Sequence, residues 1–234
     1  MIQHIVNKLN ALSDDLLMVV DVGCHKGHFI EEFRSSVRKN LYTIGIDPLD
    51  FNITHKYNLY IQAAIANVDL PTTRTFYEHI EPGCSSLLKM NTEIISHEDQ
   101  ESPSKWFVPW EIEQVVNETP VVVSSLENLL DQIEKPIDTI HYLKVDSQGM
   151  DIKVVKSLRK YLEKTMFIQI ESVISHSPDV VLYKGQQIME QDIGSMYELG
   201  FILLDVIYHN PGFKVNEADV IFFNPKKVSC YENF

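Results

Sequence analysis

The fold is decided by residues 16–27, which read LLMVVDVGCHKG. The apolar run from Leu16 to Val22 is typical of a strand that is buried on both faces of a parallel sheet. Gly23 and Gly27 allow the chain to turn sharply, and residues 27–39 have the spacing of an amphipathic helix. The stretch therefore predicts a buried strand, a tight turn and a helix whose free N–H groups can meet a small ligand.

The rest of the chain continues the alternation of strands and helices. A helix is predicted within residues 1–15, and further strands are predicted at residues 41–46, 59–65, 140–145 and 166–170. Further helices are predicted at residues 126–133, 150–162 and 185–199. The last two apolar runs, 201–208 and 219–223, are joined by a turn region without a helix, so they should pair antiparallel. We therefore expect one α/β domain over residues 1–234, with a mostly parallel sheet, helices on both faces and a final antiparallel strand.

An insertion interrupts this pattern between the third and fourth core strands, at about residues 67–125. It holds short strand-like runs at residues 73–78, 115–116 and 121–124, and a polar stretch with Trp106 and Trp110. Long connections in compact domains are usually functional or disordered, so we interpret the segment as a lid over the sheet edge. The two tryptophans suit stacking on a sugar face, and equally well an anchor to the core or a contact with a partner subunit.

The composition disfavours several classes of partner. The 234 residues carry 20 basic and 33 acidic side chains, a net charge of −13, which disfavours binding to nucleic-acid backbones. No run of about 18 apolar residues is present, so no membrane span is predicted. The three cysteines lack CxxC spacing, and residues 1–15 lack the apolar core of a signal peptide. We therefore expect a cytoplasmic protein with free thiols, of undetermined oligomeric state.

Three aspartates follow predicted parallel strands. Asp21 precedes Gly23, Asp47-Pro48 ends the second strand, and Asp146 ends the strand at residues 140–145. Ligands of open α/β sheets bind beyond the carboxyl ends of the strands, and a carboxylate after the second strand can accept both hydroxyls of a ribose. Asp47-Pro48 also suits an ordinary turn. The pattern indicates a crevice for a nucleoside, in which Asp146 orients a ligand, accepts a proton or holds a cation.

The histidines do not reveal a metal site. His25 and His28 are three residues apart, but the nine histidines are scattered without a closed set of ligands. The sequence therefore predicts no metal site, and a cation held by the carboxylate of Asp146 is the one alternative that stays open.

Together these motifs resemble those of the FkbM-type methyltransferases. The residues that carry the resemblance are Asp21-Val-Gly-x-x-x-Gly27, Asp47-Pro48, Ser85-Ser86-Leu87 and Lys144-Val-Asp-x-x-Gly149-x-Asp151. They occur in the family's order between about residues 17 and 224. The resemblance implies a class I, Rossmann-like methyltransferase with S-adenosylmethionine as its cofactor. It also implies O-methylation of a small-molecule or glycan acceptor, namely a hydroxyl on a sugar, a glycolipid or a natural product.

The resemblance further implies roles for individual residues. Those expected at the cofactor are Asp21, Gly23, His25, Gly27, Asp47, Pro48, Ala64, Ile65 and Asp146. Ser85 and Ser86 of the quoted motif are expected at the acceptor, and Trp106 and Trp110 are candidates there because their rings suit stacking on a sugar. From their placement after neighbouring strands, Asp146 is our first candidate and Glu171 our second for the base that takes the acceptor's proton.

Two positions depart from the family pattern and leave alternatives open. The family usually has Asn at the position of His25. It often has Glu at the position of Gln148, so this chain lacks a negative charge near the acceptor. One alternative is therefore a cofactor-binding or interaction protein of methyltransferase descent with impaired catalysis. A nicotinamide-dependent oxidoreductase is the other, but Asp21 stands where such enzymes have glycine, and the last strand pair lacks a helix.

Overall fold

The computed structural model describes residues 3–96, 106–107, 114–209 and 217–228. Its strands are β1 (Leu16–Val22), β2 (Asn40–Asp47), β3 (Leu59–Gln62), β4 (Ala64–Ile65), β5 (Thr72–His79), β6 (Ile95–Ser96), β7 (Trp106–Phe107), β8 (Val115–Ser124), β9 (Ile140–Val145), β10 (Thr165–Val173), β11 (Ile202–Tyr208) and β12 (Glu217–Phe223). Its α-helices are α1 (Gln3–Ala11), α2 (His28–Ser36), α3 (Leu126–Leu130), α4 (Asp151–Lys156) and α5 (Met189–Glu198). Short 3-10 helices lie at Thr54–Lys56, Pro82–Cys84 and Arg159–Lys164.

The main sheet has seven strands in the order β3-β2-β1-β9-β10-β12-β11. Its strands run parallel except β12, which lies between β10 and β11 and is antiparallel to both. The two apolar runs at the end of the chain thus pair as expected. This arrangement confirms the prediction of a mostly parallel sheet with a final antiparallel strand.

Helices cover both faces of this sheet because alternate residues of its strands are apolar on either side. Leu17 and Val19 of β1 pack in one buried cluster with residues of α1 and α2. Met18 and Val20 pack in another with residues of α3, α4 and α5. The first strand is therefore buried on both faces, as its unbroken apolar run predicts.

The insertion forms a second sheet in the order β4-β8-β5. The apolar run at residues 59–65 is divided, because β3 pairs with β2 whereas β4 pairs with β8. The predicted short strands at 115–116 and 121–124 are one strand, β8, which pairs antiparallel with β5 over its whole length. Much of β8 is exposed, so its middle shows no apolar pattern. The described part of the predicted lid is thus an ordered sheet.

The predicted helices are shorter in the structure, and residues with left-handed backbone angles lie next to the shortened ends of two of them. The helix predicted at 150–162 ends at Lys156, since Arg159 has a φ of 47° and a 3-10 turn follows. The helix predicted at 185–199 begins at Met189, since Gly185 has a φ of 85°. Within the described residues, no helix is both long and apolar enough to cross a bilayer.

The central strand β9 generates a prediction on stability. Leu143 is completely buried between neighbouring strands and helices. We expect Leu143→Ala to lower the free energy of unfolding by about 2–5 kcal/mol, because it removes buried methyl groups and leaves a cavity. The matched control is Leu70→Ala, whose side chain is 77% exposed and should change stability by less than about 0.5 kcal/mol. Urea unfolding followed by circular dichroism measures both, and equal losses would contradict the assignment of Leu143 to the core.

Candidate functional site

A cleft opens at the carboxyl ends of β1, β2 and β9. It encloses about 680 Å³, including the solvent at its open side. The sequence-predicted residues that line it are Gly23, His25, Asp47, Pro48, Ala64, Ile65, Ser85 and Asp146. Most of the residues expected at a cofactor therefore meet in one place.

Gly23 brings two walls of the cleft into contact. Its φ is 72°, and a Cβ atom at this position would lie 1.7 Å from the carbonyl oxygen of Asp146. The amide of Asp146 donates to the carbonyl of Val22 at 2.9 Å, and the amide of Gly23 donates to the carbonyl of Ile46 at 2.9 Å. The turn after β1 is thus fixed to the ends of both neighbouring strands, and only glycine fits there.

Asp47 holds the turn from the other side. Its Oδ2 accepts a hydrogen bond from the amide of His25 at 2.9 Å, and its Oδ1 accepts one from the amide of Leu49 at 2.9 Å. Burial raises the pKa of Asp47 to about 6, although both hydrogen bonds oppose the shift. His25 has a φ of 43°, which fits a position where the family usually has Asn. Its Nε2 atom is buried and has no hydrogen-bond partner among the described residues.

Asp21 and Gly27 lie beneath the cleft and do not line it. The side chain of Asp21 is fully buried and accepts a hydrogen bond of 2.6 Å from the hydroxyl of Tyr57. Burial raises the pKa of Asp21, and the nearby ammonium of Lys144 opposes this shift. Gly27 caps the start of α2 with a φ of 74° and packs close to Lys56 and Tyr57. Direct contacts of Asp21 and Gly27 with a cofactor stay predictions.

At the end of β9 the cleft meets a cluster of charged side chains. Lys144 Nζ lies 2.9 Å from Asp146 Oδ2. The Gln148 amide nitrogen donates to Asp146 Oδ1 at 3.0 Å and to Glu171 Oε2 at 3.1 Å. The hydroxyl of Tyr183 lies 2.9 Å from Gln148 Oε1 and 2.7 Å from the carbonyl oxygen of Cys84, and its single proton is shared between these two acceptors. The neutral Gln148 therefore links the two carboxylates that we predicted as candidate bases.

The pKa values of these two carboxyl groups move in opposite directions. Burial acts to raise the pKa of Asp146, but attraction to Lys144 and several hydrogen bonds outweigh it and hold this pKa below its ordinary value. Burial, followed by repulsion from Asp146, raises the pKa of Glu171 well above its ordinary value. Asp146 is therefore the carboxylate that stays ionised near neutral pH.

The residues predicted at the acceptor are placed differently from one another. Ser85 lines the cleft, and its Oγ accepts a hydrogen bond from the amide of His79 at 3.1 Å. Ser86 does not line it, because its buried hydroxyl donates to the carbonyl of Gln148 at 2.7 Å. Trp106 lies in β7, but its side chain is outside the described part of the chain, as is the whole of Trp110.

Several apolar residues of the cleft were given no role at the site by the sequence analysis, although Leu87 belongs to one of the quoted motifs. They are Leu49, Phe76, Leu87 and Met150. Phe76 comes from β5 of the second sheet, and no local motif marks it. Tyr57, which bonds Asp21, likewise lies outside every motif. Only the packing of the second sheet against the first reveals the apolar wall.

Comparison with known proteins identifies one family. The sequence model of the methyltransferase FkbM domain matches residues 21–199. No curated protein matches the chain significantly.

The fold is similar to those of solved methyltransferases, at low sequence identity. The 1,6-didemethyltoxoflavin-N1-methyltransferase of Burkholderia thailandensis, solved with 1,6-didemethyltoxoflavin and S-adenosylhomocysteine, is 7% identical with a TM-score of 0.43, over 94% of this chain and 76% of that one. The precorrin-6y C5,15-methyltransferase of Geobacter metallireducens is 8% identical with a TM-score of 0.39, and the match covers 95% of this chain and 86% of that one. A SAM-dependent methyltransferase of Aquifex aeolicus is 11% identical with a TM-score of 0.41, and the match covers 95% of this chain and 98% of that one.

The contact at Gly23 generates the second prediction. Gly23→Ala should lower the free energy of unfolding by about 2–5 kcal/mol, because alanine disfavours the left-handed conformation and its Cβ overlaps a backbone oxygen. The matched control is Gly194→Ala within α5, where a Cβ meets nothing within 4 Å. That substitution should stabilise the protein by about 0.5–1 kcal/mol. Urea unfolding of both variants tests the pair, and a Gly23→Ala protein as stable as the parent would refute the contact.

Proposed function

This chain belongs to the FkbM methyltransferase family and uses S-adenosylmethionine, and from this premise we propose that it methylates a hydroxyl group on a sugar, a glycolipid or a related natural product. The observation that carries the proposal is the placement of Asp146, which lines the cleft and is joined through Gln148 to Glu171. A hydroxyl must lose its proton as it is methylated, so a carboxylate at this end of the cleft suits such an acceptor.

The residues of the cleft fit the cofactor. Asp47 uses each carboxylate oxygen for one backbone hydrogen bond, and the remaining lone pairs are free to accept the hydroxyls of a ribose. Ala64, Ile65 and Phe76 form an apolar wall that suits a flat adenine ring. His25 lines the same cleft.

The bound cofactor supplies an electrophilic methyl group on a sulfonium. The chain contributes alignment, because methyl transfer is an in-line displacement. We assign to Asp146 the proton that leaves the acceptor as its oxygen bonds to the methyl carbon. Lys144 keeps Asp146 ionised at neutral pH, so this carboxylate is available to accept that proton. Glu171 stays the second candidate for this role.

The arrangement around Gln148 favours an active enzyme over a protein with impaired catalysis. Gln148 takes the place of the family's Glu, but its amide forms hydrogen bonds with Asp146, Glu171 and Tyr183. The substitution therefore keeps a fixed, fully bonded geometry at the acceptor end. Ser85, which lines the cleft, is the serine best placed to meet an acceptor.

The role of Asp47 predicts how cofactor affinity depends on sequence and pH. Asp47→Ala should weaken S-adenosylmethionine binding by about 10- to 100-fold, because charge-assisted hydrogen bonds to the ribose are lost. Because the ionised carboxylate is the better acceptor and the pKa of Asp47 is about 6, affinity should be full at pH 7 and fall towards pH 5. Isothermal titration calorimetry measures both effects.

Two variants complete this test. Asp50→Ala is the matched control, since Asp50 is exposed and its carboxylate accepts a hydrogen bond from the amide of Asn52. It should bind the cofactor with the affinity of the parent. Asp47→Asn should lose the decline in affinity between pH 7 and pH 5. A decline that persists in Asp47→Asn would show that another group controls it.

The assignment of the base predicts a loss of turnover. Asp146→Asn should lower the turnover number by roughly 100- to 10,000-fold, because the acceptor's proton loses its base. The readout is release of S-adenosylhomocysteine in the presence of sugars and glycolipids, with cofactor affinity measured separately. Asp69→Asn, at a position that is 94% exposed and does not line the cleft, should behave as the parent. Normal cofactor binding with full turnover in Asp146→Asn would rule out this base, and turnover with amine acceptors alone would rule out O-methylation.

A further inference from the structure

A second group of side chains gathers beyond Asp146. Glu171 lies near the end of β10, His209 directly follows β11, and Glu217 begins β12. Each offers one ligand atom, a carboxylate oxygen or an imidazole nitrogen, and these three atoms all lie within 4.8 Å of one another. The antiparallel direction of β12 explains the cluster, because its first residue meets the last residues of both neighbouring strands.

The imidazole of His209 is oriented by a carboxylate behind it. Its Nε2 lies 3.0 Å from Oδ2 of Asp219, and its Nδ1 lies 3.6 Å from Oε1 of Glu171. An Nε2–H group that donates to Asp219 leaves the lone pair of Nδ1 facing Glu171. Metal-bound histidines are held in this way, with the second ring nitrogen donating to a carboxylate that fixes the tautomer.

The carboxyl groups of the cluster lie close together. Glu171 and Glu217 are both partly buried, and Asp219 is the residue of β12 that pairs with Glu171 of β10. A divalent cation between Glu171 and Glu217 would stabilise their ionised forms, which are the forms that bind metals.

We propose that Glu171, His209 and Glu217 bind a divalent cation, with Asp219 as the residue that orients His209. This site was not expected from the sequence, because its ligands lie on three separate strands. Two carboxylate oxygens and one imidazole nitrogen suit Mn²⁺, and three protein ligands leave coordination positions open for water or a substrate oxygen. A hydroxyl bound there would be polarised beside Asp146. That last role rests on the proposed function, whereas the cation site itself does not.

Protonation of His209 is the alternative to a bound divalent cation. With both nitrogens protonated, the imidazolium would lie between Asp219 and Glu171 and would supply a positive charge without any metal. The two cases differ in a measurable way, because only the neutral imidazole gives a nitrogen ligand to a cation.

Direct binding of Mn²⁺ to the full chain tests the proposal. The protein is treated with a chelator, dialysed and titrated at pH 7.5 without cofactor or acceptor, and free Mn²⁺ is followed by electron paramagnetic resonance. We expect one Mn²⁺ per chain at saturation. Electron spin-echo modulation of the bound ion should show coupling to a ¹⁴N nucleus, which reports the imidazole ligand.

Variants identify the ligands. His209→Gln should weaken Mn²⁺ binding by at least about 10-fold and abolish the nitrogen coupling, whereas Glu217→Gln should weaken binding and keep the coupling. Asp219→Asn should weaken binding by about 10- to 100-fold, because the imidazole loses the carboxylate that orients it. His176→Gln and Glu198→Gln, both at exposed positions, are the matched controls and should bind as the parent. Circular dichroism confirms that each variant is folded.

Two results would overturn the proposal: the parent binds no stoichiometric Mn²⁺, or His209→Gln retains the parent's affinity and nitrogen coupling. If His209→Gln does not fold, Glu217→Gln and Asp219→Asn decide the question, and parental affinity in both overturns the site. Calorimetry with S-adenosylmethionine on the same preparation keeps the two proposals apart. Failure of cofactor binding counts against the proposed function and leaves the Mn²⁺ result intact.

Discussion

The turn after β1 touches the end of β9 at Gly23, where a Cβ atom would lie 1.7 Å from the carbonyl oxygen of Asp146. The rest of the cleft depends on this contact. It places two parallel strands so that their carboxyl ends open into one space, and it leaves Asp47 and Asp146 on opposite sides of the turn. Because the contact is made by backbone atoms, the side chains around it can differ, as His25 does, while the cleft keeps its shape.

The main sheet could be predicted because each of its inner strands is an apolar run, and burial of apolar surface is what a sequence pattern records best. The second sheet could not be predicted in the same way. β8 has many exposed residues and contains Pro120, so only its pairing with β5 defines it as one strand. The run at residues 59–65 is apolar except for Gln62, and nothing local shows that it leaves one sheet and joins another after that residue.

The same difference separates the predicted from the unpredicted parts of the site. Gly23, Asp47 and Asp146 follow strands directly, so the topology alone carries them to the cleft. Phe76 and Glu217 are brought in by strands that lie far away along the chain, and such packing leaves no local motif. Asp21 shows a further limit, because its position in the motif is clear but only the structure reveals that its side chain is buried under Tyr57.

Tyr183 connects Gln148, which lies between Asp146 and Glu171, to the insertion by hydrogen bonds. Its hydroxyl contacts the carbonyl of Cys84 at 2.7 Å as well as the amide of Gln148, and Ser86 bonds the backbone of the same glutamine. Residues 84–86 and the two carboxylates beside Gln148 are thus coupled through uncharged groups. The loop that follows β5 is therefore part of the support that holds Gln148 between Asp146 and Glu171.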